Sequence, residues 1–107
     1  QLKELRQFNG TQQYHNVMGV KVTDGVGYIM QNGYSWFVTD SIAVIITKLK
    51  NEPFLAVKLK LKDEKGELII TDGNEKVLYK QNYNYTSAKK ELTLFCCDNV
   101  LMLAGEY

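Results

Sequence analysis

From residue 54 onward the chain alternates. In AVKLKLKD (56–63), Val57, Leu59 and Leu61 fall on one side of an extended backbone, and Lys58, Lys60 and Lys62 fall on the other. That period of two marks a half-buried strand. Asp63-Glu64-Lys65-Gly66 turns this run into ELIIT, and Asp72-Gly73-Asn74 turns that into KVLYKQNYNYT. The stretch therefore predicts a three-stranded antiparallel meander. After the polar connection SAKKE, Leu92, Leu94 and Cys96 alternate with Thr93, Phe95 and Cys97. Asp98-Asn99 then makes a two-residue turn into Val100–Leu103, which pairs Cys97 with Val100 and Cys96 with Leu101. This hairpin is almost apolar on both faces, so it is expected at the centre of the sheet, with helix on one side and another layer on the other.

The first half carries mixed signals. Leu2, Leu5 and Phe8 recur at helical spacing before Asn9-Gly10, which predicts a short amino-terminal helix. Asp24-Gly25, set between VKVT and VGYI, reads as a hairpin turn, and Asn32-Gly33 as a second turn. In TDSIAVIITKLKN, Ile42, Ile45, Ile46 and Leu49 follow the i, i+3, i+4, i+7 pattern. The β-branched residues there favour a strand. Asp40 as a cap, with Lys48 and Lys50 at the far end, favours a helix over about 40–50 that stops before Pro53. The sum is an α+β chain: a mainly antiparallel sheet of about six or seven strands, one principal helix and a short amino-terminal helix.

Composition narrows the class. With 107 residues, 45% hydrophobic and 23% charged, the chain suits a single domain, 1–107. The net charge of +1 gives no bulk attraction to nucleic acid or anionic lipid. No run approaches the length of a membrane span, and QLKELRQFNGTQQ lacks the apolar core of a secretory signal. Two adjacent cysteines close no useful disulfide loop. A reduced, cytoplasmic protein is the expectation.

Candidate chemistry is sparse. Cys96, Cys97 and His15 lack the spacing and number of a zinc site, and nothing in the pattern brings His15 to Cys97 as a catalytic base. No metal and no cofactor are expected. Phosphate-loop, dinucleotide, zincin and nucleophile-elbow motifs are absent, which points away from an enzyme. Asp40 reads first as a helix cap. The alternative makes it part of a ligand pocket with Trp36 and Tyr34. Lys58, Lys60 and Lys62 could track a phosphate backbone, although acidic Asp63, Glu64 and Glu67 adjoin them and lysines also guard strand edges. Val77, Tyr79, Gln81, Tyr83 and Tyr85 share one face of a strand. Val77 and Tyr79 are expected in the core, and Tyr83 and Tyr85, set among Asn82, Asn84 and Thr86, on a contact surface.

The order of short motifs is similar to that of a family of small proteins of unknown function encoded by bacteria, plasmids and phages. The matching pieces are FNGT (8–11), TDGV (23–26), Trp36 followed by Asp40, Ile42 and Ala43, AVKLK (56–60), TDGN (71–74), Tyr85-Thr86 and the terminal DNVLMLAGEY. The family typically ends in a Leu-rich strand followed by Pro-Ser-Glu-Tyr; here Ala104-Gly105 replaces Pro-Ser, and Asn99 stands where Gly is usual. The resemblance implies one compact domain and a mobile-element context, and it transfers no catalytic residues. The leading expectation is a non-enzymatic interaction protein that binds a host protein through Tyr83, Tyr85, Tyr34 and Trp36, as an inhibitor of a bacterial defence or regulatory complex. The alternatives are a small-molecule or nucleotide-binding domain, which could be a homodimer, and a weak nucleic-acid binder.

Overall fold

A computed structural model of the chain describes residues 14–84, 86 and 88–106. Along the chain run β1 (His15–Val17), β2 (Val20–Val22), α1 (Asp24–Ile29), a π-type segment (Met30–Tyr34) and α2 (Ser35–Lys48). Then follow β3 (Phe54–Lys62), β4 (Lys65–Thr71), β5 (Val77–Tyr83), β6 (Leu92–Cys97), β7 (Val100–Leu103) and a 3-10 turn (Ala104–Glu106). The seven strands form one sheet in the order β1-β2-β7-β6-β3-β4-β5. Every pairing is antiparallel except β2 with β7. The chain is α+β, with one main helical segment on a mainly antiparallel sheet. The short amino-terminal helix expected from Leu2, Leu5 and Phe8 lies outside the described residues.

The second half follows its hydrophobic pattern. Val57, Leu59, Leu68, Ile70, Leu94 and Leu101 are fully buried beneath the helices, as period two requires. Cys97 pairs with Val100 and Cys96 with Leu101, and the hairpin is central in the sheet. The helical elements among the described residues pack on the face that holds this core. The second covering layer expected over the hairpin is therefore not among them. On that other face Phe54 and Phe95 pack ring to ring, centroids 5.3 Å apart.

The first half corrects the sequence reading. Asp24-Gly25 is not a hairpin turn but the first turn of α1, and VGYI is helix rather than strand. The reason lies in the sheet: β2 already has β1 on one side and β7 on the other, so no edge is left for a returning strand. Thr23 caps α1, its Oγ1 accepting from Val26 N at 3.3 Å. The helical path is interrupted at Asn32-Gly33, where the expected turn is a kink between two helices. Gly33 there takes φ +98°, and the Asn32 side chain donates to the Tyr28 carbonyl at 2.8 Å. The principal helix thus starts well before residue 40. Val26, Ile29, Phe37, Val38, Ile42 and Ile45 supply its buried stripe.

One carboxylate ties the two halves together. Glu106 Oε1 accepts from the Thr23 hydroxyl at 2.6 Å and from Leu103 N at 2.9 Å, and its Oε2 accepts from Gly25 N at 3.4 Å. A negative charge at a helix N-terminus satisfies unpaired N–H groups and opposes the helix dipole. The approach needs a glycine, because a Cβ on Gly25 would lie 2.5 Å from Leu103 Cδ1 and 2.7 Å from Glu106 Oε1. Gly25→Ala should therefore destabilise the fold by about 1–3 kcal/mol, the usual cost of overpacking, although alanine is ordinarily the better helix former. Glu106→Ala should cost a similar ~1–3 kcal/mol through the donors it orphans. Urea unfolding of both variants measures these losses; a more stable Gly25→Ala would show that the close approach is unimportant.

Candidate functional site

A strand rich in tyrosine and a helix that carries an acid and a tryptophan meet at one edge of the sheet. Among the described residues β5 is the last strand, bonded to β4 alone. Its residues Tyr79, Gln81 and Tyr83 pair with Ile70, Leu68 and Gly66, so their side chains share the face that the helices cover. Trp36, Asp40 and Lys48 lie four and eight residues apart on α2, one stripe of the helix. The stripe runs along β5. Trp36 meets Tyr83 edge to face at 4.9 Å between centroids, and the Tyr83 hydroxyl donates to Asp40 Oδ2 at 2.9 Å. At the far end Lys48 Nζ stands 5.4 Å from the centre of the Tyr79 ring, and the Tyr79 hydroxyl donates to Gln81 Oε1 at 2.9 Å.

Each group is held. The indole N–H of Trp36 donates to the Gly33 carbonyl at 2.9 Å, so the kink between α1 and α2 also orients the ring. Asp40 is not a helix cap: α2 begins at Ser35, which puts Asp40 in its second turn with its carboxylate turned to Tyr83. Trp36, Asp40 and Tyr83 are all half-buried. Burial, then the bond and charge of Asp40, then the neighbouring Tyr79, raise the Tyr83 phenol well above its ordinary value of 10.0. At neutral pH this is a hydrogen-bonded donor, not a base.

The other expected residues are scattered. Tyr34 is buried, and its hydroxyl both donates to the Lys90 carbonyl and accepts from Lys90 N. Tyr85 lies outside the described residues. Val77, expected in the core, is 49% exposed, because a bulge between Ile70 and Thr71 shifts the register and turns it out. Lys60 and Lys62 line an open cleft of about 540 Å³ with Lys65, Asp63, Glu67 and Asn82. Lys58 lies on the same side of β3 and is half-buried.

Two groupings escaped the sequence reading. Glu106 reaches Thr23 across 83 positions, and His15 Nε2 lies 3.1 Å from Asp24 Oδ1, both partly exposed. The first has no local signal, since β2–β7 pairing brings it together, whereas the second follows from the β1–β2 hairpin, which sets His15 opposite Val22. The cysteines are free thiols. Burial first, and then Cys97, push the Cys96 thiol up from 9.0 to about 11, the direction opposite to that of a reactive cysteine. Among the described residues no group of three His, Cys, Asp or Glu side chains is placed to hold a metal ion. None of the described helices is long and apolar enough to cross a membrane.

The chain belongs to a family of unknown function (DUF6876), whose model matches residues 1–107. No curated protein and no solved structure matches it.

The patch makes a graded prediction. Tyr83→Phe keeps the ring against Trp36 and removes only the donor to Asp40, so it should cost ~1 kcal/mol of stability. Tyr83→Ala should cost more. Alkaline pH supplies a second check. Tyr83 and Cys96 both titrate higher in the folded chain, so their contributions are complete below 10.0 and 9.0 respectively. Each is then lost as pH rises through the folded value. Unfolding free energy should fall from about pH 9 upward, and Cys96 should alkylate at least about tenfold more slowly than Cys97 in the native protein, followed by mass spectrometry.

Proposed function

We propose that this protein is a non-enzymatic interaction module whose contact surface is the Trp36–Asp40–Tyr83 patch with its flank of Tyr79 and Lys48. The carrying observation is that the patch is built and only half-covered: each of its polar groups has an internal partner, yet two large rings remain partly at the surface. Rigid aromatic rings give large contact area at small cost in rotamer freedom, and they dominate the energetics of protein interfaces. Pre-oriented rings lose still less on binding. The partner under this reading is a host protein in the bacterial cytoplasm. The module belongs to a phage or plasmid and acts as an inhibitor of a defence or regulatory complex, in keeping with the resemblance of its motifs to proteins of mobile elements.

The patch is a poor fit to catalysis. Tyr83 is held protonated, and Asp40 is its acceptor. It also fits the small-molecule alternative less well than the interaction reading, because Tyr34, which was to complete a pocket with Trp36 and Asp40, is committed to the backbone of Lys90.

A second reading has its own observation. The cleft beside Lys60, Lys62 and Lys65 could accept phosphate groups, with Lys80 bound to Glu67 at 3.8 Å on its border. Two carboxylates in the lining make it a weak electrostatic site.

The interaction reading is tested by immobilising the wild-type chain, Trp36→Ala and Tyr83→Ala, and quantifying what each retains from lysate of a bacterial host. A protein enriched by wild type should drop about 5- to 30-fold with either variant, equivalent to ~1–2 kcal/mol of a hot spot. Circular dichroism must first show both variants folded. Equal retention by all three chains would remove the patch from the interface. Retention of labelled oligonucleotide at low salt, lost in Lys60→Ala/Lys62→Ala, would favour the second reading instead.

A further inference from the structure

Among the described residues the outer edge of β5 is unpaired, and the chemistry along it is self-complementary. Asp63 and Glu64 both take left-handed backbone angles, φ 51° and 65°, in a two-residue turn between paired Lys62 and Lys65. In such a turn the flanking residues form a hydrogen-bonded pair, and bonded and non-bonded pairs alternate from there. Lys65, Glu67 and Ile69 therefore bond to β3, whereas Gly66, Leu68 and Ile70 point their N–H and C=O groups at β5. Their partners there are Tyr83, Gln81 and Tyr79. The N–H and C=O groups of Lys80 and Asn82 consequently point away from the sheet, the alternation being broken only at Leu78, the extra residue of the bulge. The Glu64 carbonyl, which accepts from Thr86 N at 2.8 Å, continues the same alternation.

Natural edges are usually blunted by short length, proline or inward charges. The opposite edge, β1, is only three residues long, but β5 has seven, without a proline, and its bulge lies at the Val77–Leu78 end, clear of residues 79–83. Its one lysine, Lys80, is drawn toward Glu67.

We propose that two copies of the chain join antiparallel through β5 into one continuous sheet, with the two-fold axis at Gln81. Outward groups must meet outward groups, which leaves few registers. An axis at Lys80 sets lysine against lysine, a repulsive cross-strand pair. An axis at Tyr79 sets Leu78 against Lys80. The axis at Gln81 places Lys80 opposite Asn82 of the partner subunit, Tyr79 opposite Tyr83 of the partner subunit, and the two glutamines opposite each other. Aromatic rings then meet twice across the seam on the helix-covered face, beside Trp36. A symmetric interface of this kind closes after two copies. The inference goes beyond the interaction reading, because it rests on the strand's backbone; it shares Tyr79 and Tyr83 with that patch, and its test needs no host protein.

Sedimentation velocity and native mass spectrometry of the full chain at micromolar concentration should give a dimer. Asn82→Pro removes an outward N–H without taking a bond from β4, and should give a monomer with nearly wild-type unfolding. Register is read separately. In a Cys97→Ser background, Gln81→Cys should oxidise to a disulfide-linked dimer, since residues at the axis lie directly opposite, and Lys80→Cys should not. A wild-type chain that stays monomeric overturns the proposal. So does a dimer in which Gln81→Cys fails to cross-link. If Asn82→Pro unfolds, the cross-link alone decides.

Discussion

The carboxylate of Glu106 is the point on which the first half of the fold turns. It accepts hydrogen bonds from Thr23, Gly25 and Leu103, so the last turn of the chain holds the start of the first described helix. Without it the N–H of Gly25 and the N–H of Leu103 would lose this acceptor, and an unpaired buried donor costs about 1–3 kcal/mol. Gly25 is the steric condition for that contact, because any Cβ would meet Leu103 and the carboxylate itself. The direction of α1 follows from this anchor. The kink at Gly33 then sets the direction of α2, and with it the position of Trp36 and Asp40 over β5. The bonds at one end of the molecule and the packing along the helical segment thus act together on which side chains meet at the opposite edge of the sheet.

The strands were legible and the first helix was not. From β3 to β7, period two and turn chemistry gave the strand order of the meander and even the pairing of Cys97 with Val100, because those contacts are local or follow from alternation. Thr23-Asp24-Gly25 misled because the same residues suit two structures. Asp-Gly favours a tight hairpin, and Thr-Asp favours a helix cap and an acidic first turn. What decides between them is that β7 returns parallel beside β2, a contact some 80 residues away that no local pattern carries. The helical spacing of Val26, Ile29, Phe37, Val38 and Ile42 was present throughout and was outweighed by the turn signal.

The candidate site was half legible for the same reason. Trp36, Asp40 and Tyr83 each drew attention singly, but their meeting depends on α2 lying along β5, which follows from sheet order. Asp40 looked like a cap because the helix was expected to begin there; once the helix begins at Ser35, a carboxylate in its second turn has a tyrosine for a partner instead. Val77 shows the limit of alternation. One bulge inverts the face of every residue before it on the strand, so Tyr79 keeps the expected side and Val77 loses it.

Packing on the helix side and backbone pairing at the edge are separate properties of β5, and they explain why the tyrosines sit where they do. An edge strand needs side chains that hold it to the helix without a neighbour on its far side. Tyr79 and Tyr83 do so by burying their rings and tying their hydroxyls to Gln81 and Asp40. Leucines in those positions would bury comparable area, but would leave an apolar rim beside open backbone, the combination that invites unspecific aggregation. Phenols bonded to an amide and a carboxylate make the rim polar and directional, so that whatever approaches the edge must match both the backbone and the hydrogen bonds. The aromatic content of this strand is thus explained by the need to be adhesive on one side and selective on the other.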